Sequence, residues 1–248
     1  MKILYLGIAV WPTWERAKQI TWLFMKCANL RGYPFKYYGV GTEAFPGYKG
    51  QKVDLQLAWL LDKANWYTKG YTHLLYTDCC DVLLFGSPQE IEEKYAGMGK
   101  PQMLVAAADH LGNACDENKV TNPKYRGYFP NHHYGYPQVG GYIAEIPYWI
   151  DTMQRFLKEF PDYGDDCFMW YDGWVGGWFR PELDHGCEIF QVKSMEDTEV
   201  VEKDGQLRLH NMVTDSYPCV FHEAGGYFDP ETGKDHFMLP IAEKVGLI

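Results

Sequence analysis

Four short apolar runs in the first half of the chain, separated by stretches with helical spacing, constrain the fold more than any other feature. KILYLGIAV (2–10) is a continuous apolar run, the pattern of a strand covered on both faces. FKYYGV (35–40), HLLYT (73–77) and QMLVAAAD (102–109) follow as further strands. Trp14, Ala17, Ile20, Leu23, Phe24, Cys27 and Leu30 recur at helical intervals over 14–30, and Gly32 supplies a stop. A second helix is expected over 53–67, with Leu55, Ala58, Trp59, Leu60 and Leu61 on its buried side. Ser87-Pro88-Gln89-Glu90 has the form of a capping box with proline at the first helical position. The order β-α-β-α-β-α-β requires helical crossovers and therefore a mainly parallel sheet. Ligands of such sheets bind beyond the carboxyl ends of the strands, here Ala9–Trp11, Asp78, Asp81 and Asp109.

The second half is less regular. Residues 110–138 read as a long loop rich in Gly, Asn, Pro and Tyr, a length that in a compact domain goes with function or disorder. PQVGGYIAEI (137–146) reads as a turn and a strand, and 147–160 as a helix. DDCFMWYDGWVGGWF reads as another helix, ended by Gly176-Gly177. Val200–His210 reads as a hairpin about Asp204-Gly205, and CVFHEAGG (219–226) as a last strand opening into glycines. One domain with an α/β N-terminal half and a mixed C-terminal half suits the 248 residues.

No apolar run approaches the roughly 20 residues of a bilayer span, so no membrane partner is expected. The N-terminus lacks a basic region and a small-residue cleavage site, which makes a cytoplasmic protein the expectation. Seven cysteines, an odd number without CxxC spacing, indicate neither a disulfide framework nor a cysteine-rich zinc site. A net charge of −10 disfavours nonspecific nucleic-acid binding by the chain as a whole.

Chemistry concentrates at few places. Asp78 and Asp81 close the run HLLYT; carboxylates there are ordinary cap or turn residues, but a pair at a strand end is also what a hard divalent cation takes. His222 ends the apolar CVF. A lone histidine at a strand edge is usually structural, yet Asp, Asp and His together suit Mn²⁺, or else Mg²⁺. The small residues behind it, Gly225 among them, would let a phosphate approach the backbone. Gly140-Gly141 marks either a bulge or the close approach of a sugar ring. Asp165-Asp166 stands at a helix start, where acids favour the dipole, or else lines a sugar pocket as a general base. Cys79-Cys80 is a poor thiolate pair, since adjacent side chains of an extended segment diverge.

TDCCDVLLFGSPQEI resembles the TD-x-x-DV-x-x-x-G-x-P-x-E segment of the glycosyltransferase domain in multifunctional lysyl hydroxylases and procollagen galactosyltransferases. GQKV (50–53), VGGYIA, DDCF, LDHGCEIFQ (183–191) and YPCVFHEAGG are similar to further blocks of that family, in the same order. The resemblance implies a GT-A type fold, that is, a Rossmann-like, mainly parallel α/β sheet flanked by helices with a mixed C-terminal half. It also implies a UDP-sugar donor and metal-assisted transfer to a hydroxyl acceptor. By position, Asp78, Asp81 and His222 would hold the metal. Ala9, Val10, Trp11 and Lys52 would lie near the nucleotide, and Gly140, Gly141, Asp165 and Asp166 near the sugar. Residues 1–110 would form the nucleotide-binding half and 111–248 the half for acceptor and sugar. Cys80 replaces a frequent aromatic able to stack on uracil, Gln138-Val139 replaces Asn-Ser, and Cys167 replaces Gln, so the donor pocket differs. A stand-alone transferase of phage or bacterial type, without the larger relatives' hydroxylase domains, is the expectation.

The family's known acceptor is hydroxylysine in collagen. Here the 118–144 stretch carries no acid but has Lys124, Arg126, His132 and His133 among tyrosines. Such a loop either packs on the domain or grips single bases and phosphates. A hydroxymethylated DNA base is therefore one expected acceptor; a hydroxylated protein side chain or glycan is the alternative. A non-catalytic sugar-nucleotide binding protein stands against both. A nucleotidyltransferase is disfavoured by the lack of a glycine-rich basic loop after the first strand.

Overall fold

The computed structural model describes residues 1–41, 51–109, 132–161, 173, 176–193, 195–224, 227–229, 234–236 and 238–248. Strands β1 (Ile3–Ile8), β2 (Lys36–Tyr38), β3 (His73–Thr77), β5 (Met103–Ala108), β6 (Tyr136–Glu145) and β7 (Glu182–Leu183) form one sheet in the order β2-β1-β3-β6-β5-β7. Pairs β1–β2, β1–β3 and β5–β7 are parallel. β6 runs antiparallel to both of its neighbours. Five strands thus share one direction and β6 opposes them, which makes the sheet mainly parallel, as expected. The insertion of β6 between β3 and β5 departs from the uninterrupted parallel order that the sequence pattern predicts.

The apolar runs are continuous because the strands feed two cores. Ile3 and Tyr5 of β1, Leu75 of β3 and Leu104 and Ala106 of β5 enter one cluster. Leu4, Leu6, Ile8, Leu74, Tyr76, Met103 and Val105 enter the other. Alternate residues face opposite sides of a pleated strand, so both registers must be apolar. Helix α1 (Trp14–Ile20) is separated from α2 (Trp22–Arg31) only by Thr21, whose hydroxyl donates back to the Ala17 carbonyl at 2.7 Å. Gly32 closes α2 in the left-handed region, φ 75°, as predicted. Helix α3 (Gln51–Leu61) buries Val53, Gln56, Leu57 and Leu60, an i, i+3, i+4, i+7 stripe. Its buried face is therefore rotated from the predicted one, and Leu61 is exposed; two 3₁₀ turns complete the expected 53–67 segment. Ser87 caps α4 (Pro88–Gly97) by accepting from the Glu90 N–H at 3.1 Å. Helix α5 (Ile146–Glu159) lays Trp149, Thr152, Met153 and Phe156 on the second core.

A second, three-stranded sheet packs on the first core. It comprises β4 (Val82–Leu84), β11 (Val220–His222) and β8 (Phe190–Val192), nine residues all buried. The hairpin of β9 (Thr198–Lys203) and β10 (Gln206–Asn211) turns at Asp204 and Gly205, both with positive φ, as a two-residue turn of this hand demands. A short pair, β12 (Tyr227–Asp229) with β13 (Lys234–His236), precedes the C-terminal α6 (Met238–Lys244). No described helix is long and apolar enough to cross a membrane. Most of the predicted helix DDCFMWYDGWVGGWF and most of the 110–138 stretch lie outside the described residues.

Phe24 is almost fully buried, with its ring 4.8 Å from that of Phe35 at 70°. Phe24→Ala is expected to lower unfolding stability by about 3–5 kcal/mol, read from urea melts. His210 lies 3.0 Å from Glu199 across the hairpin and 2.9 Å from Asp215. Those two carboxylates raise its pKa above the usual imidazole value. The charged form is therefore favoured by folding, so its contribution is full below the unfolded pKa and is lost as pH rises through the raised one. The His210 ring signal should titrate above about 6.5, and hairpin amide protection should fade across the same interval.

Candidate metal centre and donor site

The sheet reverses its order at β1, with β2 on one side and β3 on the other. Such a switch point opens a crevice beyond the carboxyl ends of the strands. Ala9 to Trp11 leave β1 there and Asp78 leaves β3. The segment after β1 is tied down by Ala9 N–H to the Tyr38 carbonyl at 2.9 Å, and by Gly41 N–H to the Trp11 carbonyl at 2.8 Å. Gly39 has φ 87°, and the space where its Cβ would stand is taken by Val10, 3.1 Å away.

Asp78, Asp81 and His222 each offer one ligand atom, and these atoms lie within 4.8 Å of one another. Local pairing produces this. Asp81 directly precedes β4, and β11 pairs antiparallel with β4 so that His222 stands opposite Val82. The ladder continues one step further, with the Glu223 N–H donating to the Asp81 carbonyl at 2.9 Å. Nε2 of His222 consequently sits 3.3 Å from Oδ2 of Asp81 and 4.0 Å from Oδ2 of Asp78. The Asp78 carboxylate accepts from the Tyr76 hydroxyl at 2.5 Å and from the Lys52 ammonium at 3.0 and 3.2 Å.

His222 is buried, and neither ring nitrogen makes a well-aligned hydrogen bond. Its 3.3 Å approach to Asp81 is an ion contact. Burial pushes its pKa down, but the charges of Asp81 and then Asp78 outweigh burial and leave it raised. A buried imidazole beside two carboxylates is costly without a compensating positive charge. The donor set of two carboxylate oxygens and one imidazole nitrogen fits a divalent cation, and the imidazole favours a transition ion over a purely oxygen-seeking one. The thiols between the aspartates do not join that set. Burial, reinforced by Asp78 and Asp81, pushes both Cys79 and Cys80 well above the usual thiol range, so they stay protonated. The Cys79 sulfur fills the space above Gly7, 2.5 Å from where a Cβ would lie.

The remaining predicted residues divide. Lys52, on the first turn of α3, joins the acidic cluster through Asp78. Gly140 lies beneath His222, and Gly141 beneath the Phe190 ring. His132 stacks on His185 with centroids 3.9 Å apart, and His133 pairs with Asp197 at 3.0 Å. Asp165, Asp166, Lys124, Arg126 and Gly225 lie outside the described residues.

Two contributors were not anticipated. Tyr76 orients Asp78, and its alternation with Thr77 in β3 was the only sequence signal for it. Asp184, inside the quoted LDHGCEIFQ, accepts N–H bonds from Glu188, Ile189 and Phe190 at 2.9, 2.8 and 2.8 Å. It thereby fixes the start of β8, the partner of the strand that carries His222. Burial pushes its carboxyl up to about 6 against the pull of those donors.

The family model described as PLOD GT domain matches residues 21–227. Procollagen-lysine,2-oxoglutarate 5-dioxygenase 2 of Mus musculus is 29% identical over 217 residues, covering 82% of this chain and 27% of that protein. The Homo sapiens protein of the same name is 27% identical over 216 residues, with the same coverage of 82% and 27%. The chain thus spans about a quarter of the length of the curated relatives it matches. Among solved structures, a glycosyltransferase involved in the glycosylation of the major capsid of PBCV-1 is 12% identical with TM-score 0.49, covering 91% of this chain and 94% of that one. A putative glucose-1-phosphate thymidylyltransferase from Bacillus anthracis is 10% identical with TM-score 0.40, covering 73% and 86%. Neither structural likeness is close enough to carry an argument.

Mn²⁺ titration followed by the electron paramagnetic resonance of the free ion checks the ligand set. Asp81→Asn and His222→Ala are each expected to weaken binding by about tenfold or more, and Cys80→Ser to leave it unchanged. Wild-type affinity should fall on acidification, because a ligating imidazole must first lose its proton.

Proposed function

This chain belongs to the PLOD GT domain family, a family of glycosyltransferase domains, and from that premise we propose that it moves a sugar from a UDP-sugar to a hydroxyl acceptor. The observation that carries the reading is the convergence of Asp78, Asp81 and His222 beside the carboxyl end of β3. A divalent ion there, Mn²⁺ or Mg²⁺, supplies positive charge to a diphosphate leaving group.

The chain's own residues do the rest. Tyr76 and Lys52 hold the Asp78 carboxylate in one orientation. Lys52 adds a cation beside the phosphates, and Ala9, Val10 and Trp11 border the nucleotide. Cys80 is assigned to the base and Gly225 to the diphosphate. Gly140 and Gly141 are assigned to the sugar side of the site, Gly140 beneath the imidazole and Gly141 beneath the buried Phe190 ring. The bond between the anomeric carbon and the diphosphate oxygen breaks, and its electron pair leaves with the phosphate. The acceptor oxygen forms the new bond, and its proton passes to the carboxylate of Asp166, with Asp165 beside it. In this division residues 1–110 serve the nucleotide, and 111–248 serve the sugar and acceptor.

For the acceptor we take a hydroxymethylated DNA base, held by Lys124, Arg126, His132 and His133 in the 118–144 stretch. The similarity to procollagen-lysine dioxygenases favours a second reading, a hydroxylated protein side chain or glycan. A non-catalytic sugar-nucleotide binding protein would use the same donor crevice without turnover.

Incubation with labelled UDP-sugars and Mn²⁺ is expected to give slow donor hydrolysis, and label in DNA when hydroxymethylcytosine is present. Label in a protein or glycan instead selects the second acceptor, and tight donor binding without hydrolysis selects the non-catalytic reading. Asp81→Ala should lower turnover by about 10²–10³-fold with the circular dichroism spectrum unchanged. Full turnover in that variant would remove the metal-assisted mechanism.

A further inference from the structure

Strand β6 keeps its register against β3 through Thr77↔Gly141 and Tyr76↔Tyr142. Against β5 it slips: Val105 pairs with Tyr142, whereas Ala106 pairs with Gln138. Val139, Gly140 and Gly141 are the residues left over, a bulge at the edge of the acidic cluster. Bulges of this kind re-aim the chain where a site needs it.

Gly140 is in contact with two of the three candidate ligands. Its carbonyl accepts from the Asp78 N–H at 3.0 Å, and its own N–H donates to the Gln138 side chain at 2.5 Å. On its open side lies the His222 ring. A Cβ at position 140 would stand 1.9 Å from Cε1, 2.4 Å from Nδ1 and 2.8 Å from Nε2. Those distances are overlaps, so the ring must shift, and at 3% exposure it does not open toward solvent. A Cβ at Gly141 would meet a different group, the Phe190 ring at 2.9 and 3.0 Å.

Metal-ligating imidazoles are ordinarily aimed by a hydrogen bond on the nitrogen that faces away from the ion. Nδ1 of His222 has no such partner among the described residues. Beyond the ion contact of Nε2 with Asp81, the ring is aimed by packing, and the bare Cα of Gly140 is one surface it packs on.

We propose that Gly140 is a positioning residue, whose missing side chain seats the His222 imidazole so that Nε2 faces Asp81 and Asp78. The inference rests on the metal-centre reading given above and adds a determinant of metal affinity that no ligand list would contain. Any side chain at 140 displaces the ring from the two carboxylates. A side chain at 141 presses on Phe190 and leaves the ring in place.

Mn²⁺ affinity and metal-free melting temperature, measured for Gly140→Ala, Gly141→Ala, His222→Ala and the Gly140→Ala/His222→Ala double variant, test this. Gly140→Ala is expected to weaken Mn²⁺ binding by about tenfold or more, to the level of His222→Ala. The double variant should bind no more weakly than His222→Ala, and should melt higher than it, because the added methyl occupies space the ring vacated. Gly141→Ala should lower the melting temperature while holding Mn²⁺ affinity within about threefold. Wild-type affinity in Gly140→Ala, or additive losses in the double variant, would overturn the proposal and leave the metal centre standing. Absence of Mn²⁺ binding by the wild type would instead remove the metal centre, and the seat with it. If Gly140→Ala does not fold, the double variant still decides: it folds if the imidazole is what the methyl strikes, and fails if some other group is.

Discussion

The antiparallel step between β4 and β11 is the contact on which the site depends. Asp81 and His222 are far apart in the chain, and only the pairing of His222 with Val82 brings imidazole and carboxylate to 3.3 Å. That pairing is secured from both sides. On one side β8 continues the small sheet, and its first residues hang from the Asp184 carboxylate. On the other, β6 offers two glycines in place of side chains, so the small sheet can settle directly on the large one.

Electrostatics then explains why these residues sit at a strand end and not within the core. Two carboxylates and an imidazole at low exposure would be unfavourable without a compensating cation. Lys52 provides part of that compensation at Asp78, and the Tyr76 hydroxyl provides a hydrogen bond to the same group. Neither contact replaces a charge placed among all three ligands. The three side chains together have the donor chemistry of a divalent-cation site, which is what the proposed function draws on.

Much of the fold was legible in the sequence. β3 begins and ends where the apolar run does, Gly32 stops its helix in the left-handed region, and Asp204-Gly205 turns its hairpin. These features are written locally, in side-chain period and in the backbone freedom of single residues. The antiparallel entry of β6 was not legible, because an apolar strand looks the same in either direction. Nor were β4 and β8, three residues each, which carry too few positions to show a period. Helix α3 was found but its face was misread. Trp59 and Leu61 look like core residues by type, while the stripe that meets the sheet includes the polar Gln56. The candidate ligands could be named from residue type and from family resemblance, but their meeting could not.

By itself, the sequence determined that strands and helices alternate, that two aspartates end a buried strand, and that one late histidine follows an apolar run. Each of these is a consequence of local period and of the cost of burying charge. Only the tertiary structure decided that the histidine returns to the aspartates, and that the bare Cα of a glycine lies against its ring. Strand partners and close contacts are chosen by the packing of two sheets against each other, a property of the whole fold that no short segment encodes.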